Sequence, residues 1–285
     1  MIVLSPISAQ NLDEAFNISA QAFGISGHLQ SVPQKVFTEL FYASPDNWTM
    51  LLVNHNPAAL VAVMDYPDFI YVGYMVVLPS HQRQGLGKLL MESIIEKYAS
   101  KKNILLDASV KGFSLYEKIG FKIVDRAFIF SLDRLGILQN CPDSEITIEE
   151  MRIHHLIEIR VLDQKIFGTE RFPIIEHFLK LFSDRAFVSI NRKQQITGYF
   201  IAQWNALGPF VAIDIASAQQ LLQKASVLSF SGTPTVIIPE KNVTGSNLLA
   251  TVGRQVRHCT HMAYNGSTTY QRRENIFGQI TLASG

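Results

Sequence analysis

Cysteine is scarce in this chain, with two in 285 residues, Cys141 and Cys259. They lie far apart in sequence and make neither a metal-type spacing nor a disulfide framework, which points to a reducing compartment. Net charge is also lacking: the formal balance is +1. No global field recruits nucleic acid or an acidic membrane. No apolar run is long enough to span a bilayer. The opening residues 1–16 lack the basic stretch and long apolar stretch of a signal peptide. His154 and His155 have no partner ligands at suitable spacing, and His258 and His261 are equally unremarkable, so no metal site is expected. The expectation is a cytoplasmic protein with no metal, nucleic-acid or membrane partner.

What is abundant is apolar residues, at 47%. With this length they are enough for two domains, each with its own core. Turn and breaker residues cluster at 136–145, which reads as a linker between domains at 1–135 and 146–285. In the first half the periodicity predicts a strand at 2–4 and helices at 11–23 and 33–42. A hairpin follows (49–53, 58–65), then a buried strand at 70–78 and a helix at 87–99. A strand at 104–108 and a helix at 112–119 come next, and strands at 121–124 and 127–132 close the sheet. The second half repeats that order, from helices at 153–167 and 173–182 to strands near 256–262, with a tail at 270–285 that could add a closing strand. Matching order in two halves is the mark of a diverged tandem duplication.

The stretch Val76 to Leu90 carries the clearest chemistry. An apolar run stops at Pro79, a polar glycine-containing loop follows, and an amphipathic helix begins. Strand, loop and helix in that order collect free N–H groups and a positive helix end at one spot, which suits a diphosphate. Gly85 and Gly87 let the backbone approach such a ligand closely. A P-loop would need Ser or Thr after Lys88, where Leu89 stands. The third glycine and later acid of a dinucleotide fold are also missing.

The spacing Gln82-x-x-Gly85-x-Gly87 resembles the acyl-CoA loop of the GNAT superfamily of N-acetyltransferases. The run Leu115-Tyr116-Glu117-Lys118-Ile119-Gly120-Phe121 resembles that family's second landmark, and both stand in the family's order. The resemblance implies two tandem α/β domains, each a central mixed β-sheet flanked by helices. It implies acetyl-CoA as co-substrate, its pantetheine arm on the main chain of Met75, Val76 and Val77. Its diphosphate would lie on Gln82, Arg83, Gln84, Gly85, Leu86, Gly87 and Lys88. Tyr116 falls where relatives place a tyrosine facing the cofactor sulfur, a donor to the leaving thiolate. Ser109 takes the place of an asparagine that contacts pantetheine. Asp107 is a candidate base, with Asp65 and Asp68 as further candidates, and Tyr74 could line the acceptor slot.

Weaker pieces in order, from Leu162-Asp163 to Gly266, resemble the divergent second domain of tandem acetyltransferases. There the phosphate-loop position reads Ala212 to Gln220, with Asp214 and without a glycine pair or a basic residue. The expectation is that only the first domain binds the cofactor and that the second has a structural or acceptor-site role. The function implied is N-acetylation of a small-molecule amine or, less readily, a protein amino group. The alternative is an acyl-CoA-binding sensor or scaffold without turnover.

Overall fold

A computed structural model describes residues 1–25, 31–100, 102–137, 145–266 and 270–285; most of the expected linker, 138–144, lies outside them. The first half runs β1 (Ile2–Pro6), α1 (Leu12–Phe23), α2 (Ser31–Ala43), β2 (Trp48–Val53), β3 (Asn56–Asp65), β4 (Phe69–Val77), α3 (Leu86–Tyr98), β5 (Asn103–Ala108), α4 (Phe113–Ile119) and β6 (Phe121–Ser131). The second runs β7 (Thr147–Glu150), α5 (Leu156–Phe167), α6 (Phe172–Leu181), β8 (Ala186–Ile190), β9 (Ile196–Ala202), β10 (Leu207–Ala212), α7 (Ile215–Ser226), β11 (Thr235–Pro239), α8 (Val243–Val252), β12 (Arg254–Tyr264) and β13 (Ile276–Gly278).

Local sequence accounts for most of these elements. In β3 every residue from Ala58 to Met64 is buried, as a strand covered on both faces must be. The β2–β3 hairpin turns at Asn54 and His55, both at positive φ, where short polar residues are tolerated. Helix α1 buries Leu12, Ala15, Phe16 and Ser19 and ends at Gly24 in the left-handed region. Phe23, at the end of the helix, is 56% exposed and packs one edge against Tyr74. On α3 Leu89 is likewise exposed, while Leu90, Met91 and Ile94 are buried.

The two domains each have a central mixed sheet flanked by helices, and they exchange strands. One sheet has the order β1-β2-β3-β4-β5-β12-β6-β11, the other β13-β10-β9-β8-β7. Strand β6 does not close the first sheet against β5, as the sequence order suggested. It is one continuous strand, and β12 from the second half lies between β5 and β6. In return β6 pairs with β11 of the second half. The four strands β5-β12-β6-β11 therefore interleave the halves with a pseudo-twofold relation. The largest core cluster also draws on both, joining Phe37, Trp48 and Tyr71 to Phe167, Phe178 and Tyr199. Among the described residues no helix is long and apolar enough to cross a membrane.

Candidate functional site

Strand β4 leaves its partner halfway along. It pairs with β5 only from Phe69↔Asn103 to Val72↔Leu106. Beyond Val72 the two strands separate, and one edge of Gly73 to Val77 faces a wedge-shaped gap. A bulge aids the separation: across β3, Leu60 opposes Val76 and Ala62 opposes Gly73, so β4 carries one extra residue, and Tyr74 there has φ +44. Extra residues bend a strand and re-aim its main chain. Met75, Val76 and Val77 stand at this free edge.

The loop after β4 places the helix end beside the gap. Gln82 donates its side-chain N–H to the Val77 carbonyl at 3.1 Å, folding the loop back on the strand. Arg83 and Gly85 both have positive φ, 63 and 82. Gly85 is the N-cap of α3, with no side-chain cap. Among the described residues the main-chain N–H groups of Arg83, Gln84, Gly85, Leu86, Gly87 and Lys88 have no hydrogen-bond partner. The side chains of Arg83 and Lys88 are exposed beside them, and Lys88 meets only Glu92 at 3.5 Å. Free donors, a helix dipole and two cations make an anion cradle. At Gly87 a Cβ would press on Leu115 at 3.2 Å and stand 3.7 Å from Val77, so α3, α4 and the end of β4 converge there.

Tyr116 is buried on α4, edge-on to Phe121 with ring centroids 5.8 Å apart. Burial pushes its hydroxyl well above the usual tyrosine range, so it is protonated at neutral pH. Ser109 turns its hydroxyl to the Gly112 N–H at 3.2 Å, and helps start α4.

Asp107 and Tyr116 occupy opposite faces of the sheet. Ile104, Leu106 and Ala108 pack in one core cluster with Tyr116, whereas Leu105 packs in the other; strand alternation puts Asp107 on the Leu105 side. Asp107 is the first β5 residue past the last β4 pair, so it marks the apex of the gap. Its side chain has no exposure. It receives hydrogen bonds from His261 Nδ1 at 2.8 Å and Gln279 Nε2 at 3.1 Å. Burial alone would raise its carboxyl, but His261 and the charge of Arg273 hold it below the ordinary value. A sealed, fully engaged carboxylate is a poor base, and the geometry gives no support to that expected role. Asp65 and Asp68 lie at the other end of β4, bound to Lys102 and Thr169. A cavity of about 390 Å³ near them, lined by Asp68, Lys102 and Tyr264 among others, is likewise remote from the loop.

His261 gave no sequence signal, yet it is buried at the centre of this cluster, between Asp107 and Asp125 on neighbouring strands. His155 is also buried, while His154 is exposed. Among the described residues no three His, Cys, Asp or Glu side chains group as metal ligands.

The second domain has the same parts arranged differently. Strand β10 is also bulged, with Leu207 opposite Ala202 and Phe210 opposite Phe200. Its far edge is taken by β13, which pairs Phe210↔Gly278 and Val211↔Ile276. Gln279 N–H then bonds to Ile237 of β11 at 2.8 Å, so β13 fills the space between β10 and β11. Asp214 caps α7 by accepting from Ser217 N–H at 2.8 Å.

Comparison with known proteins agrees with this double architecture. Two family models, each described as an acetyltransferase (GNAT) domain, match residues 46–123 and 159–278. An uncharacterized N-acetyltransferase of Bacillus subtilis (strain 168), YitH, is 23% identical over 186 residues, 64% of each chain; the match spans just under two thirds of that relative. A putative acetyltransferase from Pyrococcus horikoshii has the same fold across 100% of this chain and 96% of its own, with TM-score 0.85 and 22% identity. A tandem GNAT protein from the clavulanic acid biosynthesis pathway superposes over 94% of this chain and 100% of its own, with TM-score 0.63 and 10% identity. The chain is built of tandem GNAT-fold domains, the second a divergent acetyltransferase-like one.

Proposed function

We propose that the first domain binds acetyl-CoA in the gap between β4 and β5 and transfers its acetyl group to an amine. The observation that carries this reading is the open gap leading to an uncapped helix end with six unpartnered N–H groups. The diphosphate lies on the donors from Arg83 to Lys88. The pantetheine arm runs along the free edge of Met75 to Val77 as a missing strand would. Exposed main-chain N–H groups at that edge polarise the thioester carbonyl.

The amine reaches the gap from the other face, beside Asp107. An ammonium first loses one proton to solvent, because among the described residues no free side-chain base stands there. Its lone pair then forms the C–N bond, the C–S bond breaks, and Tyr116 gives its hydroxyl proton to the sulfur. The remaining nitrogen proton returns to the tyrosinate through solvent.

The missing base is also what would favour a sensor that binds acyl-CoA without turnover. A thiol-release assay with acetyl-CoA and an amine panel separates the two, the enzyme reading requiring amine-dependent release of free CoA. Tyr116→Phe should leave acetyl-CoA affinity nearly unchanged and lower turnover by about ten- to a thousand-fold. Full activity at every pH would mean that the tyrosine is structural.

A further inference from the structure

The segment that closes the second domain's gap also reaches the first domain's. The Gln279 backbone is fixed on β11 through Ile237, while its side chain crosses to the apex of the β4–β5 gap and donates Nε2–H to Asp107 at 3.1 Å. Asp107 is held ionised by His261 and Arg273, so it only accepts hydrogen bonds. That fixes the amide: Nε2 must face the carboxylate and Oε1 must face away. Gln279 is 2% exposed, and among the described residues no donor reaches Oε1. An acceptor oxygen buried without a donor is costly. The residues that follow run from the start of the gap toward the paired end of β4: Ala283 packs so tightly on Gly73 that a Cβ there would collide with it, and Tyr66, just before β4, donates to the Ser284 carbonyl at 2.7 Å.

We propose that Gln279 Oε1 receives an N–H of the acceptor amine and positions its nitrogen at the gap. This rests on the acetyltransfer reading and adds to it a residue that the second half lends to the first domain's site. The ligand chemistry is that of a hydrogen-bond donor, a primary amine or ammonium, entering beside Asp107. The charged and titratable groups facing the cluster are Asp107, His261, Cys259 and Tyr71 from the sheet, Asp125 from β6, and Arg273 from the segment before β13.

The test uses the full chain with L-lysine, spermidine and a tripeptide with a free α-amine as probes, following CoA release. Gln279→Met keeps length but removes the acceptor. The KM for the amine used by wild type should rise about 10- to 100-fold, with acetyl-CoA affinity unchanged. Gln279→Glu supplies the control for a purely structural role. A protonated glutamic acid donates O–H to Asp107 and keeps a carbonyl acceptor, so the variant should work near wild-type KM at pH 6 and fail at pH 8, where the two carboxylates repel. An unchanged amine KM in folded Gln279→Met overturns the proposal. So does equal loss of acetyl-CoA affinity and amine KM in both variants at both pH values. If wild type binds acetyl-CoA but releases no CoA with any probe, the acetyltransfer reading itself fails and the assignment falls with it.

Discussion

The same bulged strand faces open space in the first domain and a neighbouring strand in the second. In β4 the extra residue at Tyr74 starts a gap that continues to the phosphate loop. In β10 the corresponding bulge opens a gap that β13 fills at once. The helix ends differ in the same sense. Gly85 leaves the α3 N–H groups free, whereas the Asp214 carboxylate occupies the Ser217 N–H of α7. On the proposed reading, a filled slot and a capped helix leave the second domain without a cofactor site. The same bulged backbone geometry stands in both halves, and in the second it holds the chain's own tail.

The exchange of β6 and β12 sets the largest expected effect. Removing everything after residue 135 takes away β12, the neighbour of both β5 and β6, and opens a core shared by both halves. Neither strand is an edge in the native sheet. The fragment 1–135 is expected to be unfolded or aggregated by circular dichroism and size-exclusion chromatography. A monomeric fragment with a cooperative melt would show that the first domain closes its own sheet.

Gly85→Asp should come next. It strains a residue at φ +82 and puts a negative charge at the anion cradle. Acetyl-CoA affinity should fall by at least a hundredfold by calorimetry while the fold persists, since open space surrounds this position. Retained affinity would move the cofactor away from α3.

The smallest effect is expected at the other helix. Asp214→Ala removes the α7 cap and should cost about 1 kcal/mol of stability, read as a modest loss in chemical denaturation. It should leave acetyl-CoA binding unchanged, because β13 still fills the slot. Weakened acetyl-CoA binding in this variant would place cofactor chemistry in the second domain.

The parts that were legible in sequence are those written in neighbouring residues. The Gln82 to Gly87 spacing announced the loop, and Gly120 the end of α4. The absence of glycine and the presence of Asp214 at the second loop marked the divergent half. What stayed hidden depends on partners distant in the chain. A run such as Phe121 to Ser131 states that it is a strand, but not that β12 will come between it and β5. Asp107 read as a possible base because nothing local reveals His261, 154 residues further on, or Gln279, 172 residues further on. Gln279 itself carries no pattern; its place follows only from the return of the tail through the second gap. The edge strand β7 was missed for a simpler reason: four residues with two glutamates offer little alternation to read.

One gap is open and the other is closed by the chain itself, and a titration of the 285-residue chain with acetyl-CoA, paired with the structure of the saturated complex, tests this most directly. One acetyl-CoA per chain is expected, its diphosphate at Arg83 to Lys88 and its thioester at the β4 edge, with β13 still paired to β10. Two cofactors per chain, or one seated at α7 with β13 displaced, would contradict it.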